Sequence, residues 1–142
     1  MLPIDQNSYR KVLKIFQRIT LETNIQTLSL VKDDGSNIAF FSEIINSNSL
    51  ETQTIISAMI SSISTSAKLV CDKLKYGNSR EIIIRGSSGY TIFFIAEIIL
   101  IGGGNYLNTL AITLRVFRYY FPQIYSLFYP EWSITNKKNL DV

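Results

Sequence analysis

Few side chains in this sequence are equipped for covalent or acid–base chemistry. Histidine is absent, which removes the commonest general base, the Ser-His nucleophile pair and the usual zinc ligand. The single cysteine, Cys71, excludes an intrachain disulfide and any multi-cysteine metal site. It falls at the edge of an apolar helical stripe, so it reads as a packed thiol rather than a reactive one. Gly102-Gly103-Gly104-Asn105 precedes a helical pattern and has the composition of a phosphate cradle. No lysine follows where a P-loop needs one, and the Gly-x-Gly-x-x-Gly spacing is not met, so these glycines read as a strand exit. Gly86-Ser87-Ser88-Gly89 joins two strand patterns and is a turn, not a nucleophile elbow, which leads into a helix. Asp33-Asp34 reads as a solvated hairpin tip. Arg85 and Arg115 are candidate fingers for a partner's site, though arginines at strand ends and on surfaces are usually solvated or paired. The pattern predicts no enzyme, no cofactor and no metal, and directs attention to binding surfaces.

The composition supports one folded domain. Over 142 residues, 46% are hydrophobic and 18% charged, enough apolar material for one core and too little for two. The net charge of +3 comes from 14 basic and 11 acidic residues. Only Arg10-Lys11 and Lys137-Lys138 are adjacent cations, which argues against a nucleic-acid footprint. The start, Met-Leu-Pro-Ile-Asp, turns polar at once and does not read as a secretory signal. The longest apolar run, Ile92 to Ile101, is short and contains Glu97, so no membrane span is expected there. The expectation is a cytoplasmic chain with one domain over 1–122 and an aromatic extension and frayed tail over 123–142.

The elements that would position any surface follow from periodicity. Asp5 to Leu21 is helical, with Tyr9, Val12, Leu13, Phe16, Ile19 and Thr20 on one face and Asp5 or Asn7-Ser8 as cap. Ile25 to Lys32 and Ser36 to Ser42 alternate as strands around Asp33-Asp34-Gly35, a strong hairpin signal. Ser49 to Lys75 is a long helix free of Gly and Pro, with Asn48 or Ser49 as cap. Its inward stripe is predicted as Ile56, Met59, Ile60, Ile63, Ala67, Val70 and Leu74, flanked by a small-residue strip of Ala58, Ser62 and Leu69. Thr54, Ser57, Ser61, Thr65, Lys68 and Asp72 form its outer ridge. Arg80 to Arg85, Tyr90 to Ala96 and Ile98 to Ile101 read as three strands, the last two joined near Ala96-Glu97 or continuing as one long bent strand, since no Gly, Asn or Asp stands there. Asn105 to Phe121 is a closing helix with Leu107, Leu110, Leu114, Phe117 and Phe121 inward, broken or kinked by Pro122. Tyr125, Phe128, Tyr129 and Trp132 follow; folding back onto the domain is favoured over a partner surface. The sum is an α/β fold, a five-stranded mostly antiparallel sheet with helices on both faces, in the order α-β-β-α-β-β-β-α.

The run Leu30-Val31-Lys32-Asp33-Asp34-Gly35-Ser36-Asn37-Ile38-Ala39 resembles the signature hairpin of roadblock / dynein light-chain domains. Glu81-Ile82-Ile83-Ile84-Arg85-Gly86-Ser87-Ser88-Gly89-Tyr90 resembles that family's strand-turn-strand. The resemblance covers roughly residues 5–121 in the same element order. It implies a homodimer, or a heterodimer with another roadblock protein, paired through the third strand (Ile82, Ile83, Ile84) and the long helix (Ala58, Ser62, Leu69). It also implies a scaffold or regulator of a Ras-like small GTPase, with Thr54, Ser57, Ser61, Thr65, Lys68 and Asp72 as the contact. The alternatives are a structural light-chain-type subunit of a larger complex and a longin- or profilin-like trafficking module.

Overall fold

The computed structural model describes residues 4–43 and 50–131. Helix α1 (Gln6–Glu22) leads into strands β1 (Thr27–Lys32) and β2 (Asn37–Ser42). Helix α2 (Leu50–Leu74), strands β3 (Glu81–Arg85), β4 (Tyr90–Ile95) and β5 (Ile98–Gly104), and helix α3 (Leu110–Phe128) complete the chain. The five strands form one sheet in the order β2-β1-β5-β4-β3, and every pair is antiparallel. The element order is the expected one.

Local chemistry explains the boundaries. Asp5 caps α1 by accepting the Ser8 N–H at 2.6 Å, and this bond holds its carboxyl below the usual range. Gly35 turns the first hairpin at φ +89°, and Asp34 braces it by accepting from both the N–H and the hydroxyl of Ser36. The cap positions Asn48 and Ser49 lie outside the described residues. Between β4 and β5 the Ala96 N–H donates to Ile98 and the Asp33 N–H to Glu97, so this hairpin closes without any residue at positive φ.

Strand alternation divides the apolar residues between two layers. Leu28, Leu30, Ile92, Phe94, Ile98 and Leu100 face α1 and α3 and build the larger core. Val31, Phe93, Ile99 and Ile101 face α2 and meet Ile60. Phe117, fully buried, packs edge-on against Phe94 at 5.6 Å.

Several sequence expectations are corrected. The buried face of α1 is Val12, Phe16 and Ile19; Tyr9 and Leu13 sit at its solvent margin. The inward face of α3 centres on Thr113, Phe117, Tyr120, Ile124 and Phe128, with Leu107, Leu110, Leu114 and Phe121 half-buried beside it. Thr113 is buried because Tyr90 and the Thr109 carbonyl satisfy its hydroxyl. The helix also runs through Pro122 to Phe128 instead of ending at Phe121. Tyr125, Phe128 and Tyr129 therefore fold back on the main core, while Trp132 lies outside the described residues. The three glycines do not end the strand run: they belong to β5, paired to β1 and β4.

Candidate interaction surface

Helix α2 and the neighbouring strand β3 carry the residues singled out for binding. α2 touches the sheet along a narrow line, with Ile60 buried and Ile56, Ile63, Ser64, Ala67 and Cys71 half-buried. The predicted inward stripe was too wide: Met59, Val70 and Leu74 are 54–56% exposed, as are Ile55 and Leu69. The physical reason is that one helix lying on a flat sheet buries only the residues nearest the contact line. One helix, over Thr54–Lys73, has the length and apolarity to cross a membrane by those criteria alone; here it lies on the sheet through Ile60.

At 100° per residue the exposed side of α2 splits into two flanks. Ile55, Met59, Leu69 and Val70 occupy the apolar flank, with exposed Ser62, Ser66 and Lys73 among them and Ala58 at its margin. The opposite flank holds Thr54, Thr65, Lys68 and Asp72, all exposed. Ser57 and Ser61 depart from the expected outer ridge. They are half-buried against the β1–β2 turn, where a Cβ on Gly35 would stand 2.9 Å from the Ser57 carbonyl oxygen and 3.6 Å from Ser61 Cβ. The Thr65 hydroxyl is turned onto its own helix, donating to the Ser61 carbonyl at 2.9 Å.

Strand β3 is an edge of the sheet, paired only with β4 among the described strands. Ile82 packs into the α2-side core, whereas Ile83 and Ile84 stay 46% and 44% exposed. An isoleucine-rich open edge beside an apolar helix flank is a surface that soluble proteins normally cover. Arg118 of α3 closes the start of β3 with a two-point bond to Glu81 at 2.9 and 3.0 Å.

Two clefts flank this region. One, of about 350 Å³, lies at the β3–β4 turn and is lined by Thr27, Ile84, Ser88, Thr91, Gly103 and Asn105 among others. Its glycines are engaged in the fold, Gly103 and Gly104 in strand pairing and Gly86 and Gly89 in the turn, where the Gly86 N–H donates to the Gly89 carbonyl. The second, of about 760 Å³, lies at the opposite end of the sheet and mixes Lys68, Arg80 and Arg118 with Asp33, Glu81 and Glu97. Beside it the Tyr125 hydroxyl donates to Glu97, and burial together with this bond pushes its ionisation well above the ordinary phenol range. Arg85 and Arg115 are exposed on different elements. Among the described residues no three His, Cys, Asp or Glu side chains come together as a metal would require.

No family model matches the sequence, and no curated protein does. Solved structures do match. The gliding protein MglB from Thermus thermophilus superposes with a TM-score of 0.67 over 80% of this chain and 87% of its own, at 11% identity. MglB from Myxococcus xanthus gives 0.61 over 74% and 86%, at 13% identity. A Roadblock/LC7 domain from Streptomyces avermitilis gives 0.56 over 76% and 95%, at 11% identity. At these identities the likeness is one of architecture.

Proposed function

We propose, taking as premise that this chain has the roadblock/LC7 fold, that it is a non-catalytic dimeric platform for a Ras-like small GTPase. The carrying observation is the bare α2–β3 surface: five large apolar side chains of α2 more than half exposed, next to an open isoleucine edge. A second copy offers the self-complementary cover that a two-fold axis requires, apolar flank against apolar flank and β3 against β3. That pairing leaves the polar flank of α2, with Thr65, Lys68 and Asp72, facing solvent as a mixed, weakly charged strip suited to transient docking. The GTPase as occupant comes from the roadblock likeness, not from the strip.

The reading is tested by co-purification of a small GTPase from native lysate, followed by calorimetry with that GTPase in its GDP and GTP-analogue forms. Thr65→Arg with Lys68→Glu, both exposed positions, leaves folding and dimerisation intact and weakens binding about ten-fold or more. Unchanged affinity moves the contact off α2. Recovery of no GTPase in either nucleotide state overturns the function.

A further inference from the structure

The α1–α3 layer, on the opposite face of the sheet, carries a charge that the rest of the chain lacks. α1 holds Arg10, Lys11, Lys14 and Arg18 against one acid, Glu22; α3 holds Arg115 and Arg118 and no acid. The two helices are thus net +5 in a chain of net +3, which leaves −2 for everything else. α2 is balanced, with Lys68 and Lys73 against Glu51 and Asp72. Glu81 pairs with Arg118 and offsets one of these charges; Glu22 accepts the Tyr120 hydroxyl at 3.0 Å and Asp5 caps α1.

Arg10, Lys14 and Arg18 recur every fourth residue and are all exposed, so they form one ridge about 12 Å long. Apolar tips stand among the cations: Leu21 is 81% exposed, Tyr119 66%, Ile112 50% and Leu13 41%. Neither cleft described above is lined by any residue of α1, nor by Ile112 or Tyr119. We infer that this layer docks on an anionic lipid bilayer. Cations on a broad two-helix face attract acidic headgroups, each strengthening binding about five-fold, while Leu, Ile and Tyr tips enter the headgroup boundary. An acidic protein partner would be expected to use recessed anchor sites; the larger cleft reaches this layer at Arg118, Phe121 and Tyr125 of α3, but no residue of the α1 ridge lines it. The surface lies on the sheet face away from α2, so this inference stands independently of any GTPase.

The test is sedimentation of the full chain with vesicles of phosphatidylcholine alone or with phosphatidylserine added, at about 50 and 300 mM salt. Binding is expected only to the anionic vesicles, and weaker at high salt. Arg10→Gln/Lys14→Gln/Arg18→Gln weakens it about 100-fold, and Leu21→Ser weakens it with charge unchanged. Lys32→Gln/Lys75→Gln/Arg80→Gln, with the same charge change outside the layer, does not weaken it. Circular dichroism melting of each variant establishes that it is folded. No binding to anionic vesicles at low salt, or equal loss in the two triple variants, overturns the inference. So does binding to polyglutamate that matches or exceeds binding to vesicles, which assigns the layer to an acidic protein.

Discussion

At the residue scale, hydroxyls and carboxylates tie the elements together: Tyr120 to Glu22, Tyr125 to Glu97, Arg118 to Glu81, and Tyr90 to the start of α3. The Tyr90 hydroxyl lies 2.9 Å from Thr109 Oγ1 and 2.7 Å from Thr113 Oγ1. Both threonine hydroxyls also donate to backbone carbonyls, so the tyrosine supplies the remaining proton and binds the start of α3 to β4. Tyr90→Phe removes that bond without stranding a donor, and urea unfolding is expected to show a loss of about 1 kcal/mol. Asp5 gives a pH signature. Its carboxyl is depressed in the fold, chiefly by the Ser8 N–H, so the folded state binds fewer protons than the unfolded chain across that range. Its contribution is full above the ordinary carboxylate pKa and disappears as pH falls through the lowered value. Asp5→Ala is expected to lower Tm at pH 7 and to converge on the parent in acid. Asp5→Asn, still a cap, should stay close to the parent at pH 7 with a flatter acid limb; equal pH profiles for all three chains would remove Asp5 from acid sensitivity.

At the element scale, what was legible in the sequence and what was not have separate causes. The first hairpin was legible because Asp34-Gly35 satisfies a local rule, positive φ with a side-chain brace. The order of elements was legible because period 2 and period 3.6 differ over short windows. The phase of α3 was not, because Thr113 and Tyr120 read as polar until their partners on β4 and α1 are known. The width of the α2 stripe was not, since burial there depends on how much sheet lies beneath the helix. Glycine weakens an ordinary strand, so from sequence the β5 glycines read as an exit, yet close backbone approach demands them. A Cβ on Gly103 would stand 2.1 Å from the Tyr90 carbonyl oxygen, whereas one on Gly77 meets nothing within 4 Å. Gly103→Ala is therefore expected to prevent folding or to lower Tm drastically. Gly77→Ala, strained only by its φ of +86°, should cost about 1 kcal/mol. Comparable denaturation midpoints for the two variants would mean that β4 and β5 part easily at this point.

At the scale of the whole molecule, the two faces of the sheet are covered unequally, and that inequality predicts assembly. The α1–α3 face is sealed by two helices and holds most of the buried side chains. The other face has α2 alone, with a small core of Val31, Ile60, Phe93, Ile99 and Ile101. The apolar flank of α2 and the end of β3 are left in solvent. Among the described residues nothing further covers this surface: β3 is an edge strand and no helix follows α3. A second copy related by a two-fold axis can extend the sheet through β3 and close α2 on α2. Light scattering is expected to give a dimer at micromolar concentration. Ser62→Arg places a charge amid the exposed Ala58, Leu69 and Met59 and should weaken the dimer at least about ten-fold while leaving the Tm of the monomer unchanged, since Ser62 touches no core. Ile83→Asp should weaken it by putting an acid on the pairing edge, and should also lower Tm, because Ile83 is more than half covered by its own protomer. The two variants separate edge pairing from helix packing. If Ile83→Asp alone dissociates the dimer, the joined strands carry the assembly. If Ser62→Arg alone does, the helix seam carries it. A parent chain that scatters as a monomer across the micromolar range would leave the apolar flank of α2 to a different partner.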